Sequence, residues 1–442
     1  MTKLLLSGGT LLRCEDPATV EHADVLVDGG RITGIGPDLA SSEAAAGARV
    51  LRCDGAVVLP GWVQTHIHAC QTLWRNQADD LELMDWLRRE VWPYEAALGP
   101  EELRAATRLA ALELMLGGTT TILDMGTTHH HDAVLEALAE SGLRAWSGKC
   151  MMDRDAGEPP ALLEKGDASL RAACDLADRW DGEADGRIHY AFAPRFALSC
   201  SDGLLRETVA EAARRGAIIH THASENPTEG ALVRELTGGK DAVEHLASLG
   251  VEGPRAVLAH CVHITDREVA DMAAAGTRAV HCPSSNLKLA SGVARVPETM
   301  AAGVHWSLGA DGAPCNNRLD ALTEARLAAL IHKPRVGPTS MSANTVLRLA
   351  TRAGAEAVGA EAEIGSVTVG LKADIQVVSL NTPHATPNGP PAATLIYSAR
   401  SSDTRHVLID GQVVVEDGEC RTMDEEEVRN AGVRWGRSLI NN

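Results

Sequence analysis

Between residues 57 and 311, short apolar runs recur at intervals that leave room for one helix between most of them. They are Val57–His68, Thr119–Met125, Arg144–Met151, Ile188–Pro194, Ala217–His222, Ala256–His260, Arg278–His281 and Val304–Asp311. Amphipathic stretches such as Pro100–Leu116, Asp132–Ser141, Ser201–Arg215, Asp241–Leu249 and Asp266–Ala275 lie between them, several opening on Asp or Ser in helix-cap style. Continuous apolar strands alternating with helices belong to a parallel sheet covered on both faces. Eight such repeats predict an α/β fold, a (β/α)8 TIM-type barrel. The chain ends read differently. Leu4-Leu5-Leu6, Asp24–Asp28 and Arg31–Ile35 at one end, and Gly365–Val369, Asp374–Val378 and His406–Gly411 at the other, are short strands punctuated by turns. They predict a small β-sandwich domain formed from both chain ends, residues 1–58 and 365–424. The barrel then occupies 59–364, and 425–442 forms a C-terminal helix.

A barrel of about 250 residues plus an accessory domain fits a chain of 442 residues. The formal net charge of −19 argues against nucleic acid or an anionic membrane as partner, since both call for basic patches. Ten cysteines are scattered with no Cys-x-x-Cys pair, which excludes a zinc ribbon and fits reduced thiols. The first twelve residues lack the apolar region of a signal peptide, and no stretch approaches the ~20 apolar residues of a membrane span. The expectation is a soluble cytoplasmic protein.

Polar residues in buried strands need a reason, and here they gather at the ends. The first run closes on His66-Ile67-His68, whose two imidazoles share one face because side chains alternate along a strand. The fifth closes on His220-Thr221-His222-Ala223-Ser224-Glu225, the sixth on Ala259-His260 and the eighth on Ala310-Asp311-Gly312. One strand-end histidine is commonly structural, and Asp before Gly is commonly a turn. Four strand ends carrying metal-type ligands at the functional face of one barrel are hard to explain by packing.

This constellation resembles the amidohydrolase superfamily, in the aminohydrolase branch that acts on purines, pyrimidines and triazines. Pro60-Gly61-Trp62-Val63-Gln64-Thr65-His66-Ile67-His68 matches its first-strand motif, His222-Ala223-Ser224-Glu225 its His-x-x-Glu motif, and His260 and Asp311 its sixth- and eighth-strand residues. The resemblance spans essentially the whole chain. It implies that His66, His68, His222 and Asp311 bind one divalent metal ion, Zn²⁺ or Fe²⁺, both of which suit a histidine–carboxylate site. Such an ion lowers the pKa of water toward neutrality. Asp311 then serves as proton shuttle, Glu225 protonates a ring nitrogen, and His260 hydrogen-bonds the tetrahedral centre. The implied reaction is hydrolytic deamination of a ring amine to a lactam with release of ammonia. The fourth strand, Tyr190-Ala191-Phe192-Ala193-Pro194, has no lysine to bridge a second metal. Lys149, at the end of the third strand, is read as a barrel-rim lysine.

Substrate residues are implied by two sub-resemblances. Gln71, together with Arg195 and Phe196 in Ala193-Pro194-Arg195-Phe196, is similar to the base site of guanine deaminases. Trp86, Glu95 and the segment Gly309–Asn317 resemble adenosine-type deaminases, where the tryptophan packs on substrate and the glutamate binds ribose hydroxyls. Those enzymes carry a histidine where Arg195 stands. The longer match favours an adenosine-type substrate such as 5′-deoxyadenosine, methylthioadenosine or S-adenosylhomocysteine, with deamination of guanine, pterins or aminotriazines, or a triazine-type hydrolase on the same site, as alternatives. The expected partner is therefore a small-molecule aminopurine or related heterocycle, and the resemblance implies a homo-oligomer. His129-His130-His131 reads as a polar loop before a helix capped by Asp132, and the His281–Asn286 segment as a structural loop outside the metal site.

Overall fold

The structure is a computed structural model that describes residues 3–15 and 19–440. The chain forms two compact units. One comprises Met1–Gln64, Leu112–Thr121 and Asp320–Asp424, the other Thr65–Ala111, Ile122–Leu319 and Glu425–Asn442.

The first unit contains two sheets. Leu4–Ser7, Asp24–Asp28, Arg31–Gly36 and Arg49–Arg52 form a four-stranded sheet. A seven-stranded sheet joins Thr10–Leu12, Val20–His22 and Ala56–Pro60 to Ile375–Ser379, Thr404–Ile409, Gln412–Glu416 and Glu419–Cys420. The pairing of Ala56–Pro60 with Ile375–Ser379 ties the two chain ends into one sheet. Leu4, Leu6, Val25, Val27 and Leu51 pack against Leu11, Val58, Ile375, Val377 and Leu408 in a shared core. Leu5 and Leu26 point the other way, onto Ala45 and Leu39. Both faces of the small sheet are covered, which is why Leu4-Leu5-Leu6 is apolar without alternation.

The expected strand at Gly365–Val369 is a loop. Ser366 Oγ donates to the Arg13 carbonyl at 3.0 Å and to Glu15 at 3.1 Å, and Thr368 Oγ1 donates to Glu15.

The barrel sheet runs in parallel order through Trp62–His68, Thr119–Met125, Arg144–Gly148, Ile188–Pro194, Ile218–Ala223, Ala256–His260, Arg278–His281 and His305–Leu308. The eighth strand resumes at Asp311–Gly312, which pairs with Ile67 and His68 and closes the ring. Three runs are broken where the sequence reads as continuous. The first splits at Gly61, where the chain leaves the seven-stranded sheet and enters the barrel. A Cβ there would lie 2.1 Å from Thr120 Cγ2, so only glycine permits the crossing. The third breaks at Lys149, and the eighth at Gly309-Ala310.

Of the expected helices, Pro100–Leu116 and Asp266–Ala275 form at those limits, and Asp202–Arg215 and Ala242–Ser248 begin after Ser201 and Asp241 at their N-caps. The loops at the strand C-termini carry a core of their own. Leu83, Met84, Trp86, Leu87, Val91 and Trp92 pack on Met125, Cys150, Phe196 and Leu198. That apolar roof takes the strand ends out of bulk water.

Candidate active site

Three strand ends bring His66, His68, His222 and Asp311 together, with their ligand atoms all within 4.8 Å of one another. Each imidazole is oriented from behind. The ring Nδ1 of His68 lies 2.8 Å from the Met125 carbonyl, and that of His222 lies 2.8 Å from the Arg195 carbonyl. A carbonyl only accepts, so both Nδ1 atoms carry the proton and both Nε2 atoms present lone pairs. Those Nε2 atoms face each other at 3.2 Å. Asp311 Oδ1 lies 3.2 Å from His66 Nε2 and 3.5 Å from His68 Nε2.

Two facing lone pairs beside a carboxylate oxygen cannot satisfy one another. A cation among them can, and the set of three imidazoles and one carboxylate is a catalytic donor set for a divalent ion. Burial holds the His66, His68 and His222 imidazoles neutral, with His68 pushed down to about 3. Neutral imidazole is the ligand form.

Backbone geometry aims these groups. His260 and Asp311 have φ of +73° and +66°, and Ser224, just before Glu225, has φ of +53°. Non-glycine residues in the left-handed region cost energy, and they cluster here because the strand must turn as it delivers its side chain.

Glu225 and His260 stand beside the ligand group. His260 Nε2 lies 3.4 Å from Glu225 Oε2 and 3.8 Å from Asp311 Oδ2. Burial first, then the negative charges of Asp311 and Glu229, push the Glu225 carboxyl well above its ordinary value. The raised value favours the protonated form, which a proton donor needs.

A cleft opens over these residues, lined by His68, Trp86, Arg195, Phe196, Glu225 and Asp311 among others. Of the substrate residues expected from sequence, Trp86, Arg195 and Phe196 are on its wall. Gln71 and Glu95 are buried behind Arg195. Arg195 Nη1 donates to Glu95 Oε2 at 2.7 Å, and Gln71 Nε2 donates to Glu95 Oε1 at 2.8 Å. Both Glu95 oxygens are thus engaged within the protein.

Several residues that reasoning from sequence passed over hold the site. His220 Nε2 lies 2.8 Å from His66 Nδ1, Ser285 donates to Asp311 Oδ2 at 2.6 Å, and His260 Nδ1 donates to Asn286 Oδ1 at 2.9 Å. The loop after the seventh strand, read as structural, orients two site residues. Glu229 also lines the cleft. Its Oε2 accepts from the Glu225 and Asn226 backbone N–H groups at 2.6 and 3.3 Å. Its signal was present as Asn226-x-x-Glu229, a capping pattern.

Two readings need correction. Lys149 is buried, not a rim residue. Its ammonium pairs with Glu164 and donates to Ser169 Oγ at 3.3 Å, outside the ligand group. His131 is likewise buried, and it opens the helix His131–Ser141, with His130 rather than Asp132 at the cap. Asp132 lies in the first turn, where its carboxylate accepts from Arg179 and Trp180 at 2.9 Å each.

The amidohydrolase family description matches residues 57–414. The chain belongs to the amidohydrolase family. It is 37% identical, over the full length of both chains, to a 5-methylthioadenosine/S-adenosylhomocysteine deaminase of Pelotomaculum thermopropionicum. It is 36% identical to a 5′-deoxyadenosine deaminase of Methanosarcina acetivorans, covering 97% of this chain and 96% of the relative. Among solved structures, an adenosine deaminase from Xanthomonas campestris with bound zinc superposes with a TM-score of 0.92 at 31% identity, covering 100% of this chain and 99% of that one. This amidohydrolase is thus an enzyme of a metal-dependent hydrolase family, and its barrel is the family's fold. No helix among the described residues is long and apolar enough to cross a membrane.

Proposed function

We propose that this amidohydrolase is a hydrolytic deaminase of an adenosine-type purine such as 5′-deoxyadenosine, methylthioadenosine or S-adenosylhomocysteine. The observation that carries the reading is a buried Glu225, 3.4 Å from His260 Nε2, lining the cleft beside a three-histidine, one-aspartate ligand group. The names of the full-length relatives support the substrate class.

A divalent ion at His66, His68, His222 and Asp311 supplies the Lewis acidity that makes water a nucleophile near neutral pH. Zn²⁺ is favoured over Fe²⁺, supported by the zinc in the Xanthomonas structure. Glu225 donates its proton to the ring nitrogen next to the amino-bearing carbon. Asp311 accepts a proton from the attacking water and passes it to the departing amine. His260 hydrogen-bonds the oxygen that adds. When the tetrahedral centre collapses, its hydroxyl proton returns to Glu225, and amine plus water become lactam plus ammonia. Trp86 and Phe196 hold the ring by packing. The functional division that goes with this reading is a catalytic barrel over 59–364, a composite sheet domain from 1–58 and 365–424, and a terminal helix from 425. Scattered unpaired cysteines support a cytoplasmic, reducing setting. A homo-oligomer is the expected state by light scattering.

One observation favours a second reading. With both Glu95 oxygens engaged by Arg195 and Gln71, the group assigned to ribose hydroxyls is already occupied. Arg195 then offers donors to an acceptor on a free base such as guanine, a pterin or an aminotriazine. Ammonia release measured across adenosine derivatives, guanine, pterins and aminotriazines, with metal analysis of the same samples, tests both. The highest kcat/KM on an adenosine derivative supports the first reading, and the highest on a free base supports the second. No ammonia from any of them in metal-replete protein rejects both.

A further inference from the structure

The buried histidine of the His129–His131 run has no part in the chemistry above, and neither does Asp124, a carboxylate buried in the second barrel strand. They are joined. Ser147, on the third strand, donates its hydroxyl to Asp124 Oδ2 at 2.6 Å, and its oxygen lies 3.2 Å from His131 Nε2. A hydroxyl that donates to a carboxylate can accept from a ring N–H, so the order is His131 to Ser147 to Asp124. The other Asp124 oxygen, Oδ1, accepts from the Ala69 N–H at 2.8 Å. Ala69 directly follows the ligand His68, whose ring is held by the carbonyl of Met125, the residue after Asp124.

Two consecutive residues of the second strand therefore grip the last residue of the first strand, His68, and Ala69, which opens the turn after it. The Met125 carbonyl sets the tautomer and tilt of the His68 ring, while Asp124 pins the peptide that carries it. Room for the far end of the chain is built in: a Cβ on Gly126 would lie 2.1 Å from the His131 ring.

We infer that Asp124, backed by Ser147 and His131, is a positioning residue for the metal ligand His68. A carboxylate fixed at both oxygens cannot rotate, so the turn at Ala69 cannot relax and the His68 Nε2 stays aimed at the ligand group. Outer groups of this kind commonly change metal affinity by about 10–100-fold. The inference rests on the reading of His66, His68, His222 and Asp311 as the ligand set.

The test is Zn²⁺ affinity by competition with a chromophoric chelator, in the full-length parent and in Asp124→Asn and Ser147→Ala, alongside thermal unfolding of each metal-free protein. Asp124→Asn is expected to bind Zn²⁺ about 10–100-fold more weakly, and Ser147→Ala about tenfold, with metal-free unfolding of Ser147→Ala close to the parent's. A parent that binds no Zn²⁺ rejects the ligand reading itself. A parent that binds, with parental affinity in folded Asp124→Asn, overturns the positioning role alone. If Asp124→Asn does not fold, Ser147→Ala decides, and parental affinity there overturns it equally. A shift in metal-free stability with unchanged affinity makes the chain merely structural and also overturns the inference.

Discussion

At Glu225, burial and the carboxylates of Asp311 and Glu229 push the carboxyl well above its ordinary value and so favour its protonated form. Its role follows from that environment, and so do two expectations. Glu225→Gln should retain metal by elemental analysis while kcat falls by about 10²–10⁴-fold; a metal-replete, active variant contradicts the acid role. The working form is the protonated one, so turnover is present below the raised pKa and is lost as pH rises through it. A kcat profile should therefore show an alkaline limb that belongs to Glu225. At this scale the ligands were legible from sequence, because His66, His68, His222 and Asp311 interrupt apolar strands. Their supports were not. His220 repeats the His-x-His spacing with His222, but nothing in sequence ties it to His66, and Ser285 and Asn286 carry no local signal; all three matter because strands far apart in the chain lie side by side.

Strands and helices were readable from periodicity, and their interruptions were less so. The first run contains a sheet crossing at Gly61, and the third and eighth runs break just where side chains must be re-aimed. Gly148 shows the constraint. A Cβ there would lie 1.6 Å from the Ala191 carbonyl oxygen of the adjacent strand, a backbone atom that cannot step aside. Gly148→Ala should thus destabilise the protein by about 3 kcal/mol, as overpacking against rigid neighbours does, read as a lower denaturant midpoint with little change in slope. A parental midpoint would mean that the two strands can part. The segment Gly365–Val369 failed as a strand for the opposite reason. Its alternation is strand-like, but Ser366 bonds to Arg13 and Glu15, and Thr368 to Glu15, at the other end of the chain instead of in a ladder.

The whole molecule carries many groups whose titration is suppressed by burial. The His131 ring is pushed by burial down to about 3, against about 6.5 when exposed. A histidine with a depressed folded pKa contributes stability that is full above the unfolded value and is lost as pH falls from about 6.5 toward 3. Acid unfolding should set in across that window, and His131→Gln should make the limb shallower; an equally steep limb in the variant would assign the loss to other groups. Of the ten cysteines, eight are buried, and Cys14, Cys53 and Cys200 are pushed by burial up to about 12. Native protein at pH 8 should react quickly with a thiol reagent at no more than Cys174 and Cys420, and at all ten after denaturation. The sequence by itself determined the alternation of strand and helix, the barrel class and which strands end in ligands, because side-chain period and apolar patterning are local properties of a chain. Only the tertiary structure decided that the lone pairs of His68 and His222 face one another, that Glu95 is engaged by Arg195, and that Asp124 reaches the peptide after His68. Those contacts join residues as much as 154 positions apart, and strand register, not local pattern, brings them within hydrogen-bonding distance.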